Sequence, residues 1–477
     1  LERPVVVVCA DEGEAQRMEK DLAALSGEKV ATLSAREFTF HNAAVVSRQY
    51  EHRRLSVLRA LAAGECPLLV CTVESLLQRT IPKTLLTQAA QVVRMGEAHD
   101  LNELTETLTA AGYARCQQVE GVGQFALRGG ILDFFSPAHQ KPVRVEFFGD
   151  EIDAMGFFDP DTQRRIQNIS EAEILPAAEV LPQFTPGGWA GLLEGLDKLM
   201  ARTKKRKGAD KLLQTLEEDR ERLAAGTSFP ALDRYVSLIY PQMATAADYL
   251  PEDGVVLFSE SGRVAERGKN YLWQLGEDAK SLMERGELAG DLADLARTPE
   301  ELWQVLEEWP VCYLDAFAAS TYPRRPRTVL NLLAKQLPSY GASLETAVSD
   351  LAHYVSEGFR TVVLVSSQQR ALNLQALLRE QKMTTAVDFE LHELPGYGKA
   401  VIAVGGVTAG MEYPVGRLAV LTEGQSALGK KRRSKPATNR QKLKSYADLS
   451  PGDLVVHEHH GVGRFVEMTK KVVDGIE

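Results

Sequence analysis

Apolar runs of four or five residues, alternating with helical stretches, constrain this chain more than any other feature. The first 90 residues read "PVVVVCA", "DEGEAQRMEKDLAAL", "KVATL", "YEHRRLSVLRALAAG" and "PLLVCTVESLLQR" in order. A continuous run such as Val5 to Cys9 offers no polar face to water, so it suits a strand covered on both sides. That is the rhythm of a parallel sheet with crossover helices. Asp11 followed by Glu14 suits a capping box at the first helix, and Gly64 a stop after the second. The runs are far shorter than the roughly 20 residues of a membrane helix, so no membrane partner is expected. The start shows no signal-peptide pattern, and a first residue other than Met is compatible with a piece of a longer protein.

A length of 477 residues exceeds one core, and at roughly 150 residues per domain about three are expected. The composition, 44% hydrophobic and 25% charged, is that of a globular chain. Residues 1–95 form the opening α/β layer. Residues 96–180 change to a short helix, "LNELTETLTAAG", and short strands broken by Gly, Pro and Asp, which reads as a small α+β insert. Residues 181–320 turn helical, with Leu212, Leu213, Leu216 and Leu223 on one stripe and Glu218 placed to pair with Arg222, before "GVVLFSE" and "VCYLDAF" return to the buried-strand style. The opening sheet is therefore expected to be completed after the insert. Residues 321–428 carry another small α/β domain through "TVVLVSS", "KAVIAVGG" and "RLAVLTEG". Residues 429–448, charged and aperiodic, read as a basic linker, and residues 449–477 as the start of a small β-barrel module.

Several chemistries lack their residues. No G-x-x-x-x-G-K-[ST] phosphate loop occurs; Gly268–Lys269, Gly398–Lys399 and Gly429–Lys430 are followed by Asn270, Ala400 and Lys431. The strand "VVLFSESGR" ends in Ser259 and Glu260 where an ATPase strand ends in Asp-Glu, and a serine hydroxyl carries no charge for Mg²⁺. "HEHHG" fails the H-E-x-x-H zinc pattern at Gly461 and has no nearby cysteine. Cys9, Cys66, Cys71, Cys116 and Cys312 are dispersed, without a Cys-x-x-Cys pair, and read as buried free thiols. A net charge of -10 argues against general coating of nucleic acid. The basic run Lys204 to Lys207 reads as a solvated helix face or loop, and Lys430 to Arg433 falls in the linker.

In "PVRVEFFGD" the two-residue period puts Val143, Val145 and Phe147 on one face of a strand, and Arg144, Glu146 and Phe148 on the other. An aromatic ring on the polar face is either a lid contact with another part of the chain or an interface anchor. Alternation alone leaves both open. Gly129 and Gly130 suggest a bulge, which would decide whether Arg128 shares a surface with Arg144.

The motifs "GYARCQQVEGVGQFALRGGILDFFSP", "PVRVEFFGDEIDAMGFFDPDTQR" and "AEILPA" resemble the second domain shared by UvrB and by the Mfd family of bacterial transcription-repair coupling factors. The likeness continues through "LDRYVSLIYPQMATAADYLPEDGVVLFSESGRV" and the opening "PVVVVCADEGEAQ". Ser259 stands where UvrB has a metal-binding aspartate, Glu260 follows it, and "YLDAFAAS" stands where a helicase carries a Ser-Ala-Thr type motif. These departures imply a degenerate helicase-like layer. The tail "PGDLVVHEHHGVGRFVEM" resembles the start of the family's CarD-like RNA polymerase interacting domain.

The resemblance implies a fold of α/β multidomain class: a degenerate parallel layer, a UvrA-binding insert, a second small α/β domain and a barrel start. It implies a non-catalytic adaptor that recruits UvrA through Arg128, Arg144 and Phe148, with RNA polymerase as partner of the tail. ATP and magnesium are expected only in translocase domains of the full-length protein, which would also hold double-stranded DNA; no catalytic residue, cofactor or metal is expected in this chain. The implied setting is the bacterial cytoplasm. An active UvrB-like helicase subunit and a CarD-like transcription module are the rival readings.

Overall fold

The computed structural model describes residues 3–40, 47–206, 208–225, 229–319, 321–341 and 344–424, with the backbone of 454–457 and 461–464. They form two compact units. The first holds the described residues within Leu1–Glu12, Ala31–Ser320 and Lys444–Glu477; the second holds those within Gly13–Val30 and Thr321–Leu443.

The first unit is built on a five-stranded sheet ordered Val311–Leu314, Val255–Ser259, Val5–Cys9, Leu68–Thr72, Val30–Leu33. Val6 pairs in parallel with Val256 on one side and Leu69 on the other, and Val256 pairs with Val311. The expected return of the chain to its opening sheet is thus observed. Val6, Val8, Leu69, Cys71, Val256 and Phe258 enter one continuous core with the helices, and Val7 and Val70 on the alternate positions are buried too, which is why the central residues of these strands are apolar. Helix Gln49–Ala62 ends as expected, with Gly64 at positive φ after Ala63. Cys9, Cys66 and Cys71 are buried, but Cys116 is half-buried and Cys312 exposed. The edge strand Val311–Leu314 alternates, and Cys312 falls on its outer side.

The insert is a six-stranded sheet ordered Arg165–Asn168, Glu151–Phe158, Val143–Phe148, Ile131–Phe134, Gln124–Arg128, Ala114–Arg115. Its neighbours run antiparallel except the last pair. Helix Leu101–Ala110, capped by Asp100 through the Asn102 and Glu103 amides, covers one face. There Leu104 and Leu108 pack with Phe125, Leu132, Phe134, Val143, Val145, Ile152 and Met155. A separate ladder of Gln91–Arg94 against Glu171–Ile174 ties the entry of the insert to its exit.

Helices Gly188–Thr203 and Asp210–Ala224 follow, with Leu216 and Leu223 buried as the stripe requires and Leu212 and Leu213 partly buried against the same core. Arg222 does not pair with Glu218; it donates to Asp219 at 3.1 Å. Asp219 is buried and also takes Arg234 at 2.6 Å and the Tyr235 hydroxyl at 2.8 Å, and a desolvated carboxylate attracts a guanidinium more strongly than an exposed one. In the described part of the basic run, Lys204 lies 4.0 Å from Glu217 and Arg206 donates to Asp291 at 3.1 Å, a solvated surface as expected; Lys207 lies outside the described residues.

The second unit has a six-stranded sheet ordered Lys335–Leu337, Gly410–Tyr413, Leu418–Thr422, Arg360–Val365, Ala400–Val404, Ala386–Val387. It is parallel around Arg360–Val365 and antiparallel towards Lys335–Leu337. Most of helix Glu12–Ser26 belongs to this unit, where Asp21 accepts from the Thr408 amide at 2.7 Å and hydroxyl at 3.0 Å. Of the expected barrel, an antiparallel pair, Leu454–His457 with Gly461–Arg464, is described; the rest of the tail, Glu458 to His460 of "HEHHG" and the basic linker lie outside the described residues. Among the described residues no helix is long and apolar enough to cross a membrane, and no group of three or more acidic, His or Cys side chains is placed to hold a metal.

Candidate functional site

The insert's second sheet face carries the polar side chains singled out in the sequence. Gly129 and Gly130 make no bulge. They are a two-residue hairpin turn between Arg128 and Ile131, with positive φ at Gly129 only, the pattern of a type II′ turn. Register therefore passes unbroken across the hairpin, and directly opposed residues share a face. Ala126, Asp133, Arg144 and Gly156 form one row, and Arg128, Ile131, Glu146 and Ala154 the next. Phe148 lies two residues beyond Glu146 on the same strand. Arg128, Arg144 and Phe148 thus share one surface. The strand Glu151–Phe158 does contain a register shift, opposite Glu146 and Phe147.

Asp133, missed in the sequence, organises this face. Its side chain is 0% exposed and takes both arginines: Arg128 Nη2 donates to Oδ2 at 2.6 Å, while Arg144 donates through Nε to Oδ1 at 2.7 Å and through Nη2 to Oδ2 at 2.9 Å. Arg144 is held further by the Gln163 carbonyl at 3.2 Å from Nη1 and by the Phe158 ring, whose centroid lies 4.6 Å from Cζ. Hydrogen bonding to Asp133 raises the Arg144 pKa further, against the opposing effect of burial. Gln163 adopts φ 59, rare for a residue with a side chain. The Asp159 carboxylate fixes its loop by accepting from the Asp161 and Thr162 amides.

The two arginines differ in reach. The Arg128 side chain is 50% exposed and that of Arg144 only 17%. Glu146 is neutralised by Arg165 at 2.5 Å, and at the neighbouring Gly156 a Cβ would lie 2.6 Å from the Gln167 carbonyl oxygen, so the strands approach there only because no side chain intervenes. Phe148 sits where the sheet runs out, opposite Glu151 across the Gly149–Asp150 turn, and is 84% exposed. No described residue covers it, so the lid reading fails among the described residues.

A second arginine–carboxylate cluster lies where the insert rejoins the first sheet. Glu179, fully buried, accepts from Arg54 Nε at 2.9 Å and from the Thr80 hydroxyl, and lies 3.4 Å from Arg36 Nε. Arg36 grips Asp233 with both Nη atoms, at 2.8 and 3.0 Å. Burial pushes the Glu179 pKa up, but Arg54 and Arg36 outweigh it and hold the carboxyl below its ordinary value. Nearby, His52 Nε2 lies 3.1 Å from the Ala177 carbonyl, and burial lowers its pKa to about 4, with Arg48 adding to the effect.

At the end of strand Val255–Ser259, Ser259 is buried and Glu260 takes φ 53. Glu260 Oε1 accepts from the Ala316 amide at 3.0 Å, and Asp315 accepts from the amide and hydroxyl of Ser261, at 2.6 and 2.9 Å. These carboxylates are engaged with the chain's own backbone and helix start.

The family model of the UvrB interaction domain matches residues 92–180, an interval that contains Arg128, Asp133, Arg144 and Phe148. The model of the CarD-like/TRCF RID domain matches residues 449–477. The transcription-repair-coupling factor of Bacillus subtilis strain 168 is 27% identical over 484 residues, covering 99% of this chain and 40% of its own length. Those of Staphylococcus aureus strains USA300 and MRSA252 are 28% and 30% identical, covering 95% and 88% of this chain and 39% and 36% of their own. Over nearly its whole length this chain is similar to part of the transcription-repair-coupling factors. It spans about two fifths of the first of these coupling factors. The UvrB interaction domain match falls on the insert and the CarD-like match on residues 449–477.

Proposed function

We propose that this chain is the adaptor region of a transcription-repair coupling factor, recruiting UvrA to lesion-stalled RNA polymerase in transcription-coupled nucleotide excision repair. The observation that carries the reading is the exposed Phe148 beside the Arg128–Asp133–Arg144 cluster, on one sheet face inside the residues matched by the UvrB interaction domain. Aromatic and Arg side chains dominate interface hot spots. Phe148 fills an apolar pocket on UvrA and Arg128 meets a carboxylate beside it.

The chain itself hydrolyses no ATP in this reading. A strand ending in Ser259 lacks the metal-binding charge, and Asp315 and Glu260 bind the chain's own amides. ATP, magnesium and double-stranded DNA belong to translocase domains of the whole coupling factor, and RNA polymerase to the CarD-like module matched at 449–477. The working compartment is the bacterial cytoplasm. Calorimetric titration of UvrA with the wild-type chain and with Phe148→Ala tests the adaptor role: wild type binds and the variant binds at least about 30-fold more weakly. Equal affinities would remove the assignment of this face, and DNA-dependent ATP hydrolysis by the chain would restore the helicase reading.

A further inference from the structure

We infer that the two arginines divide the work: Arg128 touches the partner, while Asp133 and Arg144 form an internal clamp that aims it. The inference rests on the UvrA-docking reading above and assigns Asp133 and Arg144 as positioning residues.

Arg144 has little left to offer a partner. Nε and Nη2 are committed to Asp133, Nη1 to the Gln163 carbonyl, one guanidinium face to Phe158, and the side chain is mostly buried. Arg128 spends one Nη2 contact on Asp133 and leaves the rest of its fork on an exposed face. Without Arg144, the carboxylate of Asp133 would draw the whole Arg128 fork inward, since a buried carboxylate takes a bidentate guanidinium when one is free. With Arg144 bridging Oδ1 and Oδ2, Asp133 is neutralised. Arg128 is then tethered by a single edge, so its direction is set while its charge stays outward. One carboxylate and two guanidiniums leave a net charge of about +1 on the cluster, which fits a partner surface presenting one carboxylate next to an apolar pocket for Phe148.

The test is a set of double-mutant cycles on UvrA affinity, with thermal unfolding as the check on folding. Asp133→Asn is expected to weaken binding about tenfold. Arg128→Ala is expected to cost about tenfold or more in the wild-type background but under about threefold beside Asp133→Asn, because the aim has already been lost. Phe148→Ala should cost the same factor in both backgrounds; a general loosening of the insert would shrink its effect as well and would overturn the clamp. Arg144→Lys keeps the charge but has no planar fork to span both oxygens. It should reproduce the loss of Arg128's contribution and serves if Asp133→Asn does not fold. Equal cost of Arg128→Ala in all backgrounds, or wild-type affinity in folded Asp133→Asn, sinks the clamp while leaving UvrA docking intact. A wild-type chain that does not bind UvrA removes both.

Discussion

The two arginine–carboxylate clusters use the same chemical parts for opposite ends. Around Glu179, every charged partner is buried, and the cluster joins the exit of the insert to helix Gln49–Ala62 and to Asp233. Around Asp133, the carboxylate is equally buried, but one arginine lies half in water and an exposed phenyl ring stands beyond it on the same face. A cluster closed on all sides holds a fold together. One with an open arm and an apolar neighbour is available to another molecule. Burial of the arginines, not the pairing itself, separates the two.

The largest effect should come from breaking the closed cluster. Arg54→Ala leaves Glu179 buried with one guanidinium fewer, and the expected loss of folding stability is about 3–5 kcal/mol, read by denaturant unfolding. Phe148→Ala should leave unfolding unchanged and cost about 2 kcal/mol or more of UvrA affinity; a drop in stability instead would mean the ring is packed. Arg144→Ala sharpens the comparison because it should do both. It exposes Asp133 to incomplete neutralisation, costing about 1–3 kcal/mol of stability, and lowers affinity through Arg128.

Acid should act first on the closed side. His52 is neutral in the fold with a pKa of about 4, so between its ordinary value near 6.5 and that point the unfolded chain binds more protons. Stability therefore falls as pH falls through this window, by at most about 3 kcal/mol. His52→Gln should flatten the dependence. Glu179, held below its ordinary value, contributes stability present above the usual carboxylate range and lost below it, as pH falls through the folded pKa. The smallest effect is expected from Arg165→Ala, which breaks a partly exposed pair with Glu146 and should change stability by less than about 1 kcal/mol.

Much of the fold was legible because its signals are local. The run Val5–Cys9 and its later counterpart Val255–Ser259 show their burial through composition alone, and they pair directly. Alternation likewise separated Val143 and Val145 from Arg144 and Phe148. The pairing of Arg222 was not legible, because Asp219 outcompetes Glu218 only once it is buried by Arg234 and Tyr235 from a later segment. The grouping of helix Glu12–Ser26 with the second unit had no sequence sign, since its partner Thr408 lies hundreds of residues away.

The sequence by itself determined which side chains could face outward on the strand Val143–Phe148, since a two-residue period is a property of the extended backbone. Only the tertiary structure decided what they do together. The Gly129–Gly130 turn keeps the register that stacks Asp133 between Arg128 and Arg144, and the end of the sheet leaves Phe148 exposed among the described residues. Register and burial depend on strands meeting from different parts of the chain, and no local pattern encodes which carboxylate a guanidinium will find.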